Sequence, residues 1–398
     1  MLEGKRVVLG VTGGIAAYKA VEISRRLVDA GAHVVPVMTE GAEHFLGVTT
    51  LSALASEPVK TRLWDDPETP IPHTEIGQGA DLILVAPATA RLIAAYRSGL
   101  STDLLTNILL ATRAPVMICP AMHTEMWEHP AVVDNVATLR SWGVHVVDPE
   151  SGRLAGGDVG AGRLASPESI VAAAERVLGP GDLTGTKVVV SAGGTREPID
   201  AVRVVANRSS GKQGYAVAAE AVSRGAEVTL VSTVSLPVPA GVSVVAVETA
   251  AEMEAAMNEL APTSDVVVMA AAVADFRPVA AADGKLKKRD GVPEVVLEPT
   301  VDILAGLGER KPAGQVLVGF AAETDDLAAN AQRKLESKRL DLIVANDVSA
   351  EATGFQHDTN AVTIFADGEA PIPVPLADKR TIAAAVLDRV VARRAGAS

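Results

Sequence analysis

A chain of 398 residues with 48% apolar side chains is long enough for two ordinary domains. Its 36 basic and 49 acidic residues leave a net charge of −13, which excludes a general nucleic-acid binder and admits small anionic substrates only where basic residues cluster. The single cysteine, Cys119, excludes a disulfide framework and a cysteine-rich metal site, and before a proline at a strand end it reads as a buried structural thiol.

In chain order, "MLEGKRVVLG" enters a strand without the regions of a signal peptide, and the longest apolar stretch, Val266 to Ala274, is too short to span a membrane. The expected setting is cytoplasmic, with neither membrane nor nucleic acid as partner. "KRVVLGVTGG" (Lys5 to Gly14) gives a strand and a glycine turn, then a helix and a second strand, "GAHVVPVMT" from Gly31. "DLILVAPA" from Asp81 is the next clear strand. After a helix near Pro167 to Leu178 and the linker "GPGDLTG" at Gly179 to Gly185, the pattern repeats. "TKVVVSAGG" runs from Thr186 to Gly194, "GAEVTLVST" starts at Gly225 and "DVVVMAAA" at Asp265. Valine-rich runs alternating with alanine-rich helical patterns predict an α/β protein. Two consecutive doubly wound parallel-sheet domains of flavodoxin/Rossmann type are expected, over 1–180 and 181–398.

The repeat is not faithful. Gly193 precedes Gly225 by about fourteen residues more than Gly13 precedes Gly31. The excess falls at the C-terminal edge of a first strand, where open α/β sheets bind ligands. It holds Arg203, Asn207, Arg208, Ser209, Ser210 and Lys212, all able to bind anions or amides. Neither "GVTGGIA" nor "SAGGTRE" is a G-x-G-x-x-G turn, and Thr39 stands at the strand end where a dinucleotide site needs an acid. A hydroxyl there suits a phosphate. "SSGKQG" resembles a Walker loop but has Ala206 and Gln213 at two of its required positions. The residues alone thus give two anion-binding α/β domains.

"VTGGIAAYK", "PIPHTEI", "APATA" and "GLSTDLL" resemble the flavin-dependent cysteine decarboxylases. With "AGGTREPID", "NRSSGKQG" and "GKLKKRDG", the whole chain is similar to the bifunctional coenzyme A biosynthesis family. That family fuses a phosphopantothenoylcysteine decarboxylase to a phosphopantothenate–cysteine ligase. The resemblance implies FMN, its phosphate held by Gly13, Gly14 and Ile15 with a hydrogen bond from Thr39. Ala88, Thr89, Ser101 and Thr102 fall in loops that enclose the flavin, and His73 matches an active-site histidine. FMN supplies the redox chemistry; the protein supplies position and protons.

Two motifs depart from the family. "PAMHTEMW" has His123, after Met122, where the family has an asparagine for the substrate carboxylate. "LAGGDVGAGR" has Gly156 in place of the substrate-clamp cysteine that donates a proton. Asp158, His123 or a water are the candidates for that proton.

In the ligase half the resemblance implies 4′-phosphopantothenate, L-cysteine and CTP as small-molecule partners, with Mg²⁺ arriving on the CTP. Asn207 falls where the family handles an acyl-cytidylate, and Arg203, Ser209, Ser210, Gly211 and Lys212 lie in the same binding signature. Nucleotide contacts fall on Met269, Ala270, Ala271 and Asp275, on Val301, Asp302, Ile303 and Leu304, and on Phe320. Lys285 aligns with a catalytic lysine, beside Lys287 and Lys288. Lys334 and Lys338, four apart, share a helix face. A homo-oligomer, by resemblance a dodecamer, is implied as well. Two other readings compete. One is a non-catalytic flavin-binding regulatory or oligomerisation domain on an active ligase; the other is a pyridine-nucleotide oxidoreductase, which lacks its motifs here.

Overall fold

The computed structural model describes residues 2–64, 70–287, 293–323, 327–347 and 358–396. The chain divides into two units, Met1–Pro180 and Gly181–Ser398.

In the first unit, β1 (Arg6–Val11), β2 (His33–Met38), β3 (Leu82–Ala88), β4 (Val116–Pro120) and β5 (His145–Val146) form a parallel sheet in the order β2-β1-β3-β4-β5. The strands are apolar on both sides. Alternation along β1 sends Val7, Leu9 and Val11 into one core and Val8 into the other. Helices must therefore cover both faces, which is the doubly wound arrangement. Strand order reverses at β1, so a crevice opens beyond the C-terminal ends of β1 and β3. Cys119 is fully buried in β4, and that burial pushes its thiol pKa far up. A short antiparallel hairpin, β6 (Glu150–Arg153) and β7 (Val159–Arg163), precedes the helix Pro167–Leu178, whose N-cap Ser166 accepts from the Ser169 amide at 3.2 Å.

The second unit repeats this plan in β8 (Lys187–Ala192), flanked by the interrupting hairpin β9 (Arg196–Pro198) and β10 (Val204–Ala206). β11 (Glu227–Ser232), β12 (Val242–Ala246) and β13 (Val266–Met269) follow, then a second small hairpin of β14 (Phe276–Pro278) and β15 (Leu297–Pro299). β16 (Val316–Glu323), β17 (Leu342–Asp347), β18 (Thr359–Ala366) and β19 (Ile372–Asp378) complete a sheet ordered β12-β11-β8-β13-β16-β17-β18-β19. β18 and β19 run antiparallel, so this sheet is mixed where a wholly parallel one is expected. The connection from β18 to β19, over 367–371, is too short for a helical crossover, and a connection of that kind allows only antiparallel pairing. Pro373 and Pro375 lie on β19, the edge strand, where a missing N–H is tolerated. Among the described residues no helix is long and apolar enough to cross a membrane.

Candidate functional site

Each unit carries its candidate residues at the C-terminal edge of its own sheet. In the first, Thr12 joins two strand ends: its hydroxyl donates to the Pro87 carbonyl at 2.7 Å and accepts from the Thr89 amide at 3.1 Å. Gly13 then passes against Gly41 so closely that a Cβ would lie 2.6 Å from the Gly41 carbonyl carbon. Gly14 is extended and offers no capping side chain to the 3₁₀ turn Ile15–Lys19, which runs on into the helix Ala20–Asp29. A Cβ on Gly14 would sit 3.6 Å from the Thr89 methyl, which places the two loops face to face. The Thr39 amide donates to the Val11 carbonyl at 3.0 Å, and its hydroxyl faces the same oxygen at 3.4 Å.

Gly13, Gly14, Ile15, Thr39, Ala88 and Thr89 therefore gather around the ends of β1, β2 and β3. The result is a cradle floored by backbone with a helix start behind it, which fits a phosphate carried by a flat cofactor. Ser101 and Thr102 are exposed before the helix Leu104–Ala111, with the Thr102 amide donating to Thr106 Oγ1 at 3.0 Å. Among the described residues no hydrogen bond joins these two to the cradle. His73 is the second residue of the helix Pro72–Gln78, half-buried, and its Nδ1 is buried with no partner.

The two motif departures meet in space. Past the end of β4, the Met122 amide donates to the Gly162 carbonyl at 3.0 Å and the Thr124 hydroxyl to Ala161 at 2.8 Å, which seats β7 on this loop. The hairpin tip folds back through Leu154 N–H to the Asp158 carbonyl at 2.8 Å. His123 Nε2 then lies 3.2 Å from Asp158 Oδ2, while its Nδ1 contacts Glu125. A Cβ on Gly156 would sit 3.2 Å from His123 Nε2 and 3.3 Å from Asp158 Oδ2. The imidazole is held between two carboxylates. Glu125 chiefly, then Asp158, raises the His123 pKa above its ordinary value.

In the second unit a cleft of about 490 Å³ opens beyond β8, β13, β16 and β17. Asn207, Ser209, Ser210 and Gly211 form one wall. Gly211 has φ +74° and N-caps the helix Lys212–Ser223; a side chain there would both strain the backbone and strike Val234. Asn207 Nδ2 donates to the Val273 carbonyl at 2.9 Å, which fixes its amide beside the run that lines the cleft with Met269, Ala270, Ala271 and Asp275. Val301, Asp302, Ile303, Leu304, Phe320, Lys334 and Lys338 close the rest. Asp302 caps the helix Ile303–Glu309 and pairs with Lys338 at 2.7 Å. Burial works against its charge, yet Lys338 and the Ala305 amide hold its pKa below the usual carboxylate range. Lys338 lies just past the helix Leu327–Ser337, though its amide still reaches the Lys334 carbonyl at 3.0 Å.

Arg203, Arg208, Lys212, Lys285 and Lys287, all expected near the ligands, lie outside the cleft lining. Arg203 is taken by the buried Asp200 at 2.6 Å and by the Leu286 carbonyl at 3.2 Å. Lys212 reaches Asp358 at 2.5 Å. Lys285 and Lys287 are exposed beside Leu286, whose amide donates to Asp200 at 3.1 Å; Lys288 lies outside the described residues. Conversely, Thr12 and the cleft residues Gln213, Thr300, Asn346, Asn360 and Lys379 are not among the expected ones. Only the hydroxyl of Thr12, next to a glycine turn, offered a local signal. Among the described residues there is no cluster of three or more His, Cys, Asp or Glu that could hold a metal ion.

Comparison with known proteins extends across the chain. Residues 1–179 match the Flavoprotein family and residues 183–393 the DNA/pantothenate metabolism flavoprotein C-terminal domain. The coenzyme A biosynthesis bifunctional protein CoaBC of Mycobacterium tuberculosis (strain ATCC 25618 / H37Rv) is 47% identical over 411 residues, covering 99% of this chain and 98% of the relative. Its counterpart from Bacillus subtilis (strain 168) is 45% identical over 398 residues, with 98% of both chains covered. The solved C-terminal domain of a coenzyme A biosynthesis bifunctional protein CoaBC is 40% identical, covers 53% of this chain and 97% of its own, and superposes with a TM-score of 0.46. By identity and coverage at this level, the chain belongs to the family of coenzyme A biosynthesis bifunctional proteins.

Proposed function

We propose that the chain joins 4′-phosphopantothenate to L-cysteine with CTP in residues 181–398, and decarboxylates the product to 4′-phosphopantetheine in residues 1–180 with bound FMN. The observation that carries this reading is the meeting of Asn207, the Ser209–Gly211 turn, Asp275 and the Lys334/Lys338 pair in one cleft.

In the ligase step the substrate carboxylate attacks the CTP α-phosphorus and pyrophosphate leaves. The amine of cysteine then attacks the acyl carbon, CMP departs, and the amide nitrogen loses a proton. Asn207, fixed on Val273, is positioned to hold the activated acyl group, while Lys334 and Lys338 offset phosphate charge. Lys285 is the exposed charge that would reach the leaving pyrophosphate. Mg²⁺ would come with the nucleotide phosphates, as it does where few carboxylates hold it.

In the decarboxylase step FMN, when bound, supplies a reversible two-electron acceptor for the cysteinyl carbon–sulfur unit. Gly13, Gly14, Ile15 and Thr39 would hold its phosphate, with Ala88, Thr89, Ser101 and Thr102 around the ring. His73 would move the proton of the substrate thiol. His123 would bind the departing carboxylate, and with Asp158 would return a proton to carbon. Net, one carboxylate leaves as CO₂ and one proton is taken up. A homo-oligomer, in its expected dodecameric form, goes with this reading and is read by light scattering.

The test is direct. With 4′-phosphopantothenate, cysteine and Mg²⁺, the protein should release CMP and pyrophosphate in equal amounts, followed by CO₂. Preferential consumption of ATP would remove the CTP assignment.

A further inference from the structure

The loop between β13 and β14, residues 270–275, lines the second unit's cleft along its whole length. Among the described residues no hydrogen bond joins one residue of this loop to another. Its shape is therefore imposed from outside. The Ala271 amide donates to Ser191 Oγ at 3.1 Å, and the Ala272 amide to the Gly193 carbonyl at 2.8 Å. Asn207 holds the Val273 carbonyl, as described above.

Ala274 is held by two threonines. Its amide donates to Thr195 Oγ1 at 2.9 Å, and its carbonyl accepts from Thr300 Oγ1. The Thr300 amide donates in turn to the Asp275 carbonyl at 3.0 Å. Ala274 is only 2% exposed, so water has no access to replace either hydroxyl. A buried peptide group that loses its partner costs far more than an exposed one, which makes the two hydroxyls decisive for this stretch of backbone.

The two threonines reach the loop from opposite directions in sequence. Thr195 follows the glycine turn after β8; it is fully buried and outside the cleft lining, so its influence on a bound molecule passes through the loop. Thr300 follows β15 directly and precedes Val301, Asp302, Ile303 and Leu304 of the lining. Together with the β14–β15 pairing, its bonds to Ala274 and Asp275 close the neck of the excursion that carries Lys285. The first unit has a comparable device in Thr12, which ties the end of β1 to Pro87 and Thr89.

We propose that Thr195 and Thr300 are positioning residues for the nucleotide: by fixing the two polar groups of Ala274 they set how Ala271 and Asp275 meet it. The proposal rests on the ligase reading, which puts nucleotide contacts on this loop. Neither threonine takes part in the chemistry; each holds one end of the same residue.

Steady-state kinetics on the full chain, with Thr195→Val, Thr195→Ser, Thr300→Val and Thr300→Ser, tests this. Valine keeps the shape of the side chain and leaves one group of Ala274 without its partner, whereas serine keeps the hydroxyl. Each Val variant should raise KM for CTP by about tenfold, while KM for 4′-phosphopantothenate and for cysteine stays within about twofold of wild type. The Ser variants should restore most of the loss. CO₂ release from supplied 4′-phosphopantothenoylcysteine should not change, because that step belongs to residues 1–180. In the double Val variant KM for CTP should rise by less than the product of the two single effects, since both hydroxyls hold one residue. A full product would make them independent supports and overturn the shared role. A purely structural role predicts a lowered melting temperature, turnover that falls with the folded fraction and every KM unchanged; that result overturns the proposal. So does a KM for CTP within about twofold of wild type in either folded Val variant. Should Thr195→Val fail to fold, Thr300→Val carries the same test from a half-buried position. Failure of the ligase reading looks different: wild type then consumes no CTP. Hydrogen exchange at the Ala274 amide of the ligand-free chain still decides the matter, faster exchange in Thr195→Val upholding the hold on the loop and unchanged exchange overturning it.

Discussion

His123 shows how much one side chain depends on its neighbours. Its folded pKa is raised above 6.5 by Glu125 and then by Asp158, so the imidazolium persists to higher pH than in the unfolded chain. The stabilisation from these contacts is complete below the unfolded value and disappears as pH rises through the folded one. If His123 works as the cation, the basic limb of CO₂ release lies above the ordinary histidine range. Glu125→Gln should then draw that limb toward lower pH, and an NMR titration of the ring should move with it. The product itself tests the proton route: full turnover yields the saturated thiol, whereas accumulation of an enethiol two hydrogens lighter would show that nothing near Gly156 protonates carbon. Asp158→Asn with unchanged turnover would leave His123 or a water as the donor. His73 gives a separate residue-level prediction. His73→Asn should abolish CO₂ release while leaving bound flavin and CTP turnover intact; loss of flavin would instead make the buried Nδ1 part of the framework.

At the scale of elements, the interrupting segment of the second unit is a hairpin pinned by one buried acid. Asp200 accepts from the Val202 amide at 2.7 Å, the Arg203 amide at 2.8 Å and the Leu286 amide at 3.1 Å. Burial opposes its charge, yet these donors keep its pKa below the usual carboxylate range. The stabilisation they give therefore holds above the unfolded value near 3.8 and is lost as pH falls through the lower, folded one. Because the strap bearing Lys285 hangs from Asp200, Asp200→Ala should speed hydrogen exchange at the Leu286 amide and raise KM for CTP. Lys285→Gln should lower ligase turnover by about 10²–10³ with a smaller effect on CTP binding, the usual scale for one transition-state charge contact. Wild-type turnover in Lys285→Gln would show the lysine to be merely solvated. The extra length of this segment is visible in sequence, because glycine spacing counts it. Its hairpin is not, because Leu286, one of the groups that pin it, lies far along the chain. The same holds for Asn346, Asn360 and Lys379. Each looks ordinary beside its sequence neighbours, and only the register of β17, β18 and β19 brings them to one floor.

For the whole molecule, the parallel strands of the two sheets follow directly from valine runs and glycine turns, while the antiparallel edge of β18 and β19 has no such local mark. The presence of a cradle in one unit and a cleft in the other predicts that FMN and CTP stabilise different parts of the chain. Cys119 makes that measurable. It is the chain's single thiol, sealed in β4 of the first sheet with its ionisation suppressed. Alkylating reagents should therefore leave the native protein untouched and modify it only when the first unit opens. FMN at a hundredfold excess over its dissociation constant should slow that modification about a hundredfold, with no change on adding CTP. Slowing by CTP instead would break the assignment of ligand to unit. Read by mass spectrometry, this one buried sulfur is a built-in clock for the opening of the first unit.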